Sequence, residues 1–277
     1  QLGRLTGLDD PTRIKKLKLF QAAQCWPTQT MGTNTSGGQM KFKLMATSSV
    51  SPELKEDVMR VAEAAFTQIP RDELLQRFQT YDYLGLALDD GRVVAFSFLS
   101  EHSVDQCRFI GFRLSATHPD YQGSGLLSRI TRRLFWTRLA AFYGSRLRRG
   151  LASEQLFLFC RACSPLAYKS IHLGQTVYPD LIGHSGLEIP GAMQVHFQTL
   201  AGLLQLEGLD TRSGLIRDGA ANAGITHSKK DISLEEKWLT PWSSVVPSGS
   251  ELLVLAPFRL SHISKYVTDF WRKERRS

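Results

Sequence analysis

The sequence contains few cysteines and no long hydrophobic run. Four cysteines in 277 residues are too few for a disulfide scaffold, so we expect reduced thiols and no disulfides. No apolar stretch approaches the ~20 residues that a membrane-spanning helix needs, and the first residues lack the continuous apolar segment of a secretory signal. These absences favour a cytoplasmic protein with no membrane partner.

Patterns of metal ligands are also missing. Cys160 and Cys163 form a single C-x-x-C without a second cysteine pair, and Cys160 falls in a predicted buried strand, so zinc and redox chemistry are not favoured. The histidines show no ligand spacing. We therefore predict no metal site.

Positive charge is in excess and unevenly distributed. The chain has 34 Lys and Arg against 26 Asp and Glu, a formal net charge of +8. Arginines cluster in the helix predicted after Gly125 and near the C-terminus, and residues 1–39 carry a basic and then a glycine-bearing polar tract. A basic surface suits phosphate-bearing ligands, RNA or acidic proteins, although a solvated helix face accounts equally well for each arginine alone. For residues 1–39 we expect a flexible leader or a vector-derived segment.

The most informative segment is a glycine-bearing turn between a strand-like stretch and a long amphipathic helix. It reads Gln122-Gly123-Ser124-Gly125-Leu126-Leu127. A turn that opens a helix presents free backbone N–H groups at the positive end of the helix dipole, and glycine lets the backbone come close to an anion. The segment therefore predicts a phosphate-binding cradle.

Two phosphate-binding motifs with the same order of elements fit poorly. A P-loop, G-x-x-x-x-G-K-[ST], needs a lysine after its glycines, and none follows Gly125 directly. A dinucleotide fingerprint, G-x-G-x-x-G, has its third glycine where this chain has Ser128, and the segment about 20 residues further on offers arginine rather than the ribose-binding acid. Both interpretations are therefore weakened.

The turn resembles the central acyl-CoA motif, [Q/R]-x-x-G-x-[G/A], of the GNAT superfamily of acetyl-CoA-dependent N-acyltransferases. Gln122 and Gly125 match the motif, and Pro119 and Tyr121 match its usual lead-in, while Leu127 stands where the family has Gly or Ala. The resemblance implies that acetyl-CoA or another acyl-CoA is the co-substrate.

The same resemblance implies roles for individual residues. On the preceding strand, the backbone of Ala116 and Thr117 would bind the pantetheine arm of the acyl-CoA. The residues that would hold its pyrophosphate are Gln122, Gly123, Ser124, Gly125, Leu126 and Leu127.

Elements predicted around the turn follow the order found in that family. Strands are predicted at 41–46, 83–88, 92–99, 108–117, 155–161 and 251–256, and helices over 52–65, 71–80, 164–174, from Leu126 onwards, and around 263–271. We expect an α/β fold of the GNAT type, with a mixed, mostly antiparallel central sheet flanked by helices. Residues 40–179 would form the acyl-CoA-binding core, and residues 180–277 a C-terminal extension that completes the sheet, with a loop near 207–250.

Catalytic residues are expected from the resemblance. The family often carries its general base on the motif strand, where this chain has Arg113 and Leu114, so Glu101 at the end of the preceding strand is the nearest carboxylate. The family's acid for the leaving thiolate is commonly a tyrosine on the helix after the next strand, which points to Tyr168. The structural alternatives are an exposed strand-end carboxylate and a core tyrosine.

These expectations predict an N-acyltransferase that moves an acetyl or other acyl group from acyl-CoA to an amine acceptor of unknown identity by direct attack. One alternative is a GNAT-like binding or regulatory module without activity, which Arg113, Leu114 and Leu127 favour. Another is an RNA-associated basic protein. The arginine-rich helix favours it, whereas the absence of interleaved aromatic residues counts against a nucleic-acid partner.

Overall fold

A computed structural model describes residues 40–66, 69–149, 155–172, 176–183, 187–217 and 235–258. Its strands are β1 (Lys41–Ala46), β2 (Tyr83–Asp89), β3 (Arg92–Val104), β4 (Cys107–Thr117), β5 (Gln155–Ala162), β6 (Leu215–Ile216) and β7 (Glu251–Phe258). Its helices are α1 (Pro52–Ala65), α2 (Arg71–Thr80), α3 (Leu126–Arg149), α4 (Pro165–Ile171), α5 (Gly191–Leu204) and α6 (Glu236–Val245). The predicted leader and the predicted helix at 263–271 lie outside the described residues.

The strands of the described ranges form one sheet of seven, in the order β1-β2-β3-β4-β5-β7-β6. Neighbouring strands run antiparallel except for β4 and β5, which are parallel. A parallel pair needs a crossover connection, and α3 lies in that connection. The predicted α/β fold with a mixed, mostly antiparallel sheet flanked by helices is therefore confirmed.

Helices cover both faces of the sheet. On one face α3, α4 and α6 share a buried cluster that includes Ile130 and Trp242. On the other face α1 and α2 cover β2 to β4, with Phe78 buried there, while α5 covers β5 and β7 through Phe197. Each such side chain contributes about 1.5–3 kcal/mol through burial. No helix within the described ranges combines the length and the apolar character needed to cross a bilayer.

Local signals read from the sequence explain where several elements begin. Ser51 and Ser164 each accept a hydrogen bond from the backbone N–H three residues on, at 3.4 and 3.2 Å, and each precedes a proline in the first helical turn. Asp90 and Gly91 have φ of 51° and 82°, as a two-residue hairpin loop requires. These predicted helix starts and the predicted β2–β3 hairpin are confirmed.

The C-terminal part contains more regular structure than the sequence suggested. The segment predicted as a loop near 207–250 includes β6 and α6. Pro241 lies inside α6 and makes that helix hard to recognise, because proline normally ends a helix. β7 pairs with β5 along seven residues of the latter, from Leu156 to Ala162, so the C-terminal part supplies a strand inside the sheet.

Gly111 of β4 lies directly against the ring of Phe159. A Cβ at this position would come within 2.1 Å of the ring. We expect Gly111→Ala to lower the free energy of unfolding by about 1–3 kcal/mol, because the ring would have to leave its packed position. Chemical denaturation followed by circular dichroism measures the change.

Gly202→Ala is the matched control for this substitution. Gly202 lies in α5, and a Cβ there would meet no atom within 4 Å. Alanine should raise the free energy of unfolding by about 0.5–1 kcal/mol through its helix propensity. Equal losses in both variants would contradict the steric explanation.

Candidate functional site

β4 and β5 separate at the end of their shared ladder. Their pairing runs from Cys107 with Gln155 to Phe112 with Cys160, while β4 continues along β3 as far as Thr117. Residues 113–117 therefore present a backbone edge that β5 does not pair. We call this opening, between residues 113–117 of β4 and the end of β5, the β4–β5 fork.

A β-bulge marks the beginning of the fork. The β3–β4 register shifts between Ser97 and Leu99, so that Arg113 and Leu114 together oppose a single residue of β3. A bulge bends its strand and changes the direction of the side chains. Leu114 packs against the cluster under α1 and α2, and the guanidinium carbon of Arg113 lies 5.0 Å from the ring centroid of Tyr81 on the same face.

The glycine turn leads directly from the fork into α3. Gly123 and Gly125 have φ of 85° and 75°, a left-handed conformation that glycine adopts without strain. A Cβ on either residue would meet no atom within 4 Å, so the turn is open on its outer side. The N–H of Arg129 donates to the carbonyl of Gly125 at 3.1 Å, and the N–H groups before it in α3 have no acceptor within the helix. Such a turn can bind an anion.

Side-chain hydrogen bonds hold the turn beside the fork. Tyr121 donates its hydroxyl to Asp89 at 2.6 Å, which ties the turn to the β2–β3 hairpin and raises the pKa of the phenol. Gln122 donates Nε2 to the carbonyl of Thr117 at 3.2 Å, while its buried Oε1 has no partner among the described residues. The structure thus brings the predicted acyl-CoA residues together at the end of β4 and the start of α3.

Glu101 lies away from this turn. It pairs with Ile110 in the β3–β4 ladder, four residues or ~13 Å along β3 from Ser97, which pairs within the fork. Its carboxylate accepts hydrogen bonds from Arg138 of α3 at 2.6 and 3.2 Å, and Arg108 lies 3.6 Å away. The expected strand-end position was wrong, because β3 continues three residues beyond Glu101. Its catalytic role stays a prediction.

Tyr168 is a buried residue of α4, 1% exposed. Its hydroxyl donates to the carbonyl of Pro179 at 3.0 Å and accepts from the N–H of Leu181 at 2.9 Å. Burial raises the pKa of the phenol. The hydroxyl therefore fastens the segment after α4 to the core, and its predicted role as an acid stays a prediction.

A polar cavity beside the fork had no signal in the sequence. Its volume is 360 Å³, and its lining includes Arg77, Ser100, His102 and Arg113. These residues come from α2, β3 and β4, and no spacing in the sequence connects them. From the sequence, Arg113 was notable only as a residue that cannot serve as a base.

Of the cysteines in the C-x-x-C pair, Cys160 is buried and Cys163 is partly buried. Burial raises the pKa of the Cys160 thiol far above its ordinary range and that of Cys163 to about 12. Both thiols are therefore protonated near neutral pH and unreactive. Over the part of the chain that the structure describes, no three His, Cys, Asp or Glu side chains are grouped to hold a metal ion.

Solved structures of acetyltransferases are similar to this chain. A GNAT family protein from Streptococcus pneumoniae is 22% identical, with a TM-score of 0.28 over 35% of this chain and 65% of that one. The ribosomal-protein-S18-alanine N-acetyltransferase from Escherichia coli is 17% identical, with a TM-score of 0.33 over 52% of this chain and 85% of that one. Ard1 from Thermoplasma volcanium is 11% identical, with a TM-score of 0.38 over 79% of this chain and 98% of that one.

Each of these similarities is a likeness of fold at low identity, with a TM-score below 0.5, and none extends to a substrate. No protein-family model matches the sequence, and no curated protein matches it.

The ion pair of Glu101 can be tested by substitution. We expect Glu101→Gln to lower the free energy of unfolding by about 2–3 kcal/mol, because Arg138 would keep a largely buried charge without its counter-charge. Glu56→Gln is the control, since Glu56 is 60% exposed and pairs with an exposed Arg71, an arrangement worth at most ~1 kcal/mol. Urea denaturation compares the two variants, and equal losses would contradict the structural importance of Glu101.

The structural importance of the two Tyr168 hydrogen bonds can also be tested by substitution. Tyr168→Phe should lower the free energy of unfolding by about 1–3 kcal/mol, because the backbone groups of Pro179 and Leu181 would stay buried without a partner. Tyr83→Phe is the control, since the Tyr83 hydroxyl has no hydrogen-bond partner in the described ranges. Thermal denaturation measures both, and an unchanged stability for Tyr168→Phe would contradict its structural role.

Proposed function

We propose that this protein is an acyl-CoA-dependent N-acyltransferase, which transfers an acetyl or other acyl group to an amine. The observation that carries the proposal is the adjacency of the β4–β5 fork and an open glycine turn at the start of α3. An acyl-CoA has a pyrophosphate at one end of an extended, amide-bearing arm and the reactive thioester at the other. The turn suits the pyrophosphate, and the fork suits the arm.

The pyrophosphate would bind at the start of α3. Free backbone N–H groups and the positive end of the helix dipole attract negative charge at this position. Leu126 and Leu127 would bind through their N–H groups, while the open outer sides of Gly123 and Gly125 let a phosphate approach. The N–H of Ser124 already donates to the carbonyl of Tyr121 at 3.4 Å, so Ser124 would contribute by its place in the turn. Gln122 would act by fixing the turn, because its amide already holds the end of β4.

The pantetheine arm would lie along the free edge of β4 as an added strand. Of the two predicted residues, Thr117 would pair with the amides of the arm through its backbone, as peptides do when they extend an open sheet edge, whereas the N–H and C=O of Ala116 face Phe96 of β3. The carbonyl of Thr117 already accepts one hydrogen bond from Gln122, and its second lone pair remains for the arm. This placement carries the thioester towards the bulge at Arg113 and Leu114.

Transfer would then proceed by direct attack. The neutral amine attacks the thioester carbonyl carbon, a C–N bond forms, and negative charge develops on the carbonyl oxygen. Backbone N–H groups at the bulge can stabilise that charge. The C–S bond breaks, the amine loses one proton and the departing thiolate gains one. The products are an amide and CoA thiol, and no covalent enzyme intermediate is required.

The predicted catalytic residues can be assigned by activity measurements. Glu101 would have to deprotonate the amine through water, because Arg138 already binds both of its oxygens. Tyr168 keeps its proton at neutral pH, as an acid requires, but its hydroxyl already donates a hydrogen bond to the carbonyl of Pro179. Turnover by folded Glu101→Gln and Tyr168→Phe enzymes decides whether either residue has a role beyond structure.

The main alternative is a domain that binds acyl-CoA without transferring its acyl group. The residues at the bulge favour it, because neither Arg113 nor Leu114 can act as a base. An RNA-binding role has less support, since two arginines of α3 are engaged within the protein: Arg133 lies 4.4 Å from the Phe42 ring centroid, and Arg138 binds Glu101.

Ser124→Glu tests the proposed pyrophosphate site. Ser124 is exposed in the turn, and a glutamate there places negative charge where the pyrophosphate would bind. The helix dipole stabilises negative charge at this position, so the substitution should not destabilise the fold. We expect the Kd for acetyl-CoA and for free CoA to rise at least tenfold, a loss of about 1.4 kcal/mol or more, with the fold retained. Calorimetric titration measures both affinities.

Thr137→Glu adds the same charge at an exposed position of α3, eleven residues or ~16 Å beyond its start, and should leave both affinities unchanged. Failure of the unmodified protein to bind acetyl-CoA would overturn the proposal, and so would equal weakening in both variants. Binding without turnover of any amine would favour the alternative.

A further inference from the structure

The polar cavity beside the fork, which we call the arginine cavity, lies on the face of the sheet opposite α3. The end of α2 forms one wall, the end of α5 forms another, and the floor consists of Ser100, His102 and Arg113. Its volume of 360 Å³ is in the range of small-molecule sites. Because Arg113 is the first β4 residue beyond the ladder with β5, the cavity adjoins the fork.

Several residues that line this cavity carry buried polar atoms without a partner in the part of the chain that the structure describes. Four buried atoms that belong to its lining residues have no hydrogen-bond partner among the described residues: Nε of Arg77, Oγ of Ser100, Nε2 of His102 and Nη1 of Arg113. Buried polar groups are nearly always hydrogen-bonded in folded proteins, and Ser100 is only 1% exposed. Each of the four atoms can donate a hydrogen bond, so together they suit a ligand that only accepts.

The charge of Arg113 has no carboxylate partner among the described residues. Burial lowers the pKa of its guanidinium, a hydrogen bond with the Tyr81 hydroxyl opposes this, and the charges of Arg161 and Arg77 lower the pKa further. Arg77, by contrast, is paired with Glu73. Burial raises the pKa of Tyr81, but the charges of Arg113 and Arg77 more than offset this and hold it below its usual value. A largely buried cation without a counter-charge is costly unless an anion neutralises it.

We propose that the arginine cavity binds the carboxylate of the acyl acceptor, and that the acceptor is therefore a small amino carboxylate such as an amino acid. Its identification as the acceptor rests on the proposed function. Arg113 binds the carboxylate, and Ser100 and His102 donate to it. One guanidinium without a carboxylate partner balances the single charge of a carboxylate, whereas a phosphate monoester carries about −1.5 to −2.

The position of the cavity orients such an acceptor for transfer. With its carboxylate on Arg113, the amine of a small amino carboxylate reaches the fork, where the thioester would lie. Leu203 and Leu204 of α5 add apolar lining, which suits an aliphatic or aromatic side chain. The donor and the acceptor would thus approach the fork from opposite faces of the sheet.

Calorimetric titration with the twenty L-amino acids, each compared with its carboxamide, tests this proposal with and without free CoA. At least one amino acid should bind, and its carboxamide should bind at least tenfold more weakly, because it lacks the charge that Arg113 recognises. Arg113→Gln should weaken binding of that amino acid at least tenfold. Ser100→Ala should weaken it roughly tenfold, as expected for loss of a hydrogen bond to a charged group, and it removes a hydroxyl that has no partner to lose.

Arg60→Gln is the charge-matched control, since Arg60 is 57% exposed on α1, and it should leave the affinity unchanged. Equal binding of acid and carboxamide would overturn the proposal, as would unchanged affinity in both cavity variants, or binding of phosphate monoesters in place of amino acids. If acetyl-CoA binds but no amino acid does, with or without CoA, the inference fails and the proposed function stands. If an amino acid binds but acetyl-CoA does not, carboxylate recognition is supported and the proposed function fails.

Discussion

Pairing between β4 and β5 stops at Phe112 and Cys160, and both sites described above depend on this separation. A ladder continued to Thr117 would use the backbone edge proposed for the pantetheine arm. The bulge at Arg113 and Leu114 bends β4 at the same point and places an arginine on the floor of the cavity. Helices on both faces hold the strands in these positions, so the opening is part of the packed sheet.

The two proposed anion sites use different physics. The turn around Gly125 relies on neutral N–H groups and a helix dipole at the surface, which cost the fold little. The arginine cavity relies on the buried charge of Arg113, which is unfavourable in the unliganded protein. Buried groups of this kind, kept at a cost in stability, are more typical of binding sites than of structural cores.

Much of the fold could be predicted from local patterns. The cap at Ser51, the turn at Asp90 and Gly91, and the glycine turn before α3 all depend on neighbouring residues, and the structure has each of them in place. The roles of Glu101 and Tyr168 depend on distant partners. A carboxylate looks the same in a sequence whether it faces substrate or an arginine 37 residues away, so their contacts with Arg138 and Pro179 could not be foreseen.

The amino-acid sequence by itself determined the positions of most strands and helices and the turn from Gln122 to Leu127, because hydrophobic periodicity, capping and glycine conformation act over a few residues. Only the tertiary structure decided that β7 enters the sheet beside β5 and that β4 leaves β5 after Phe112. It also decided that side chains from separate elements meet around Arg113. Strand order, register and the convergence of polar groups depend on contacts between distant segments, which no local pattern records.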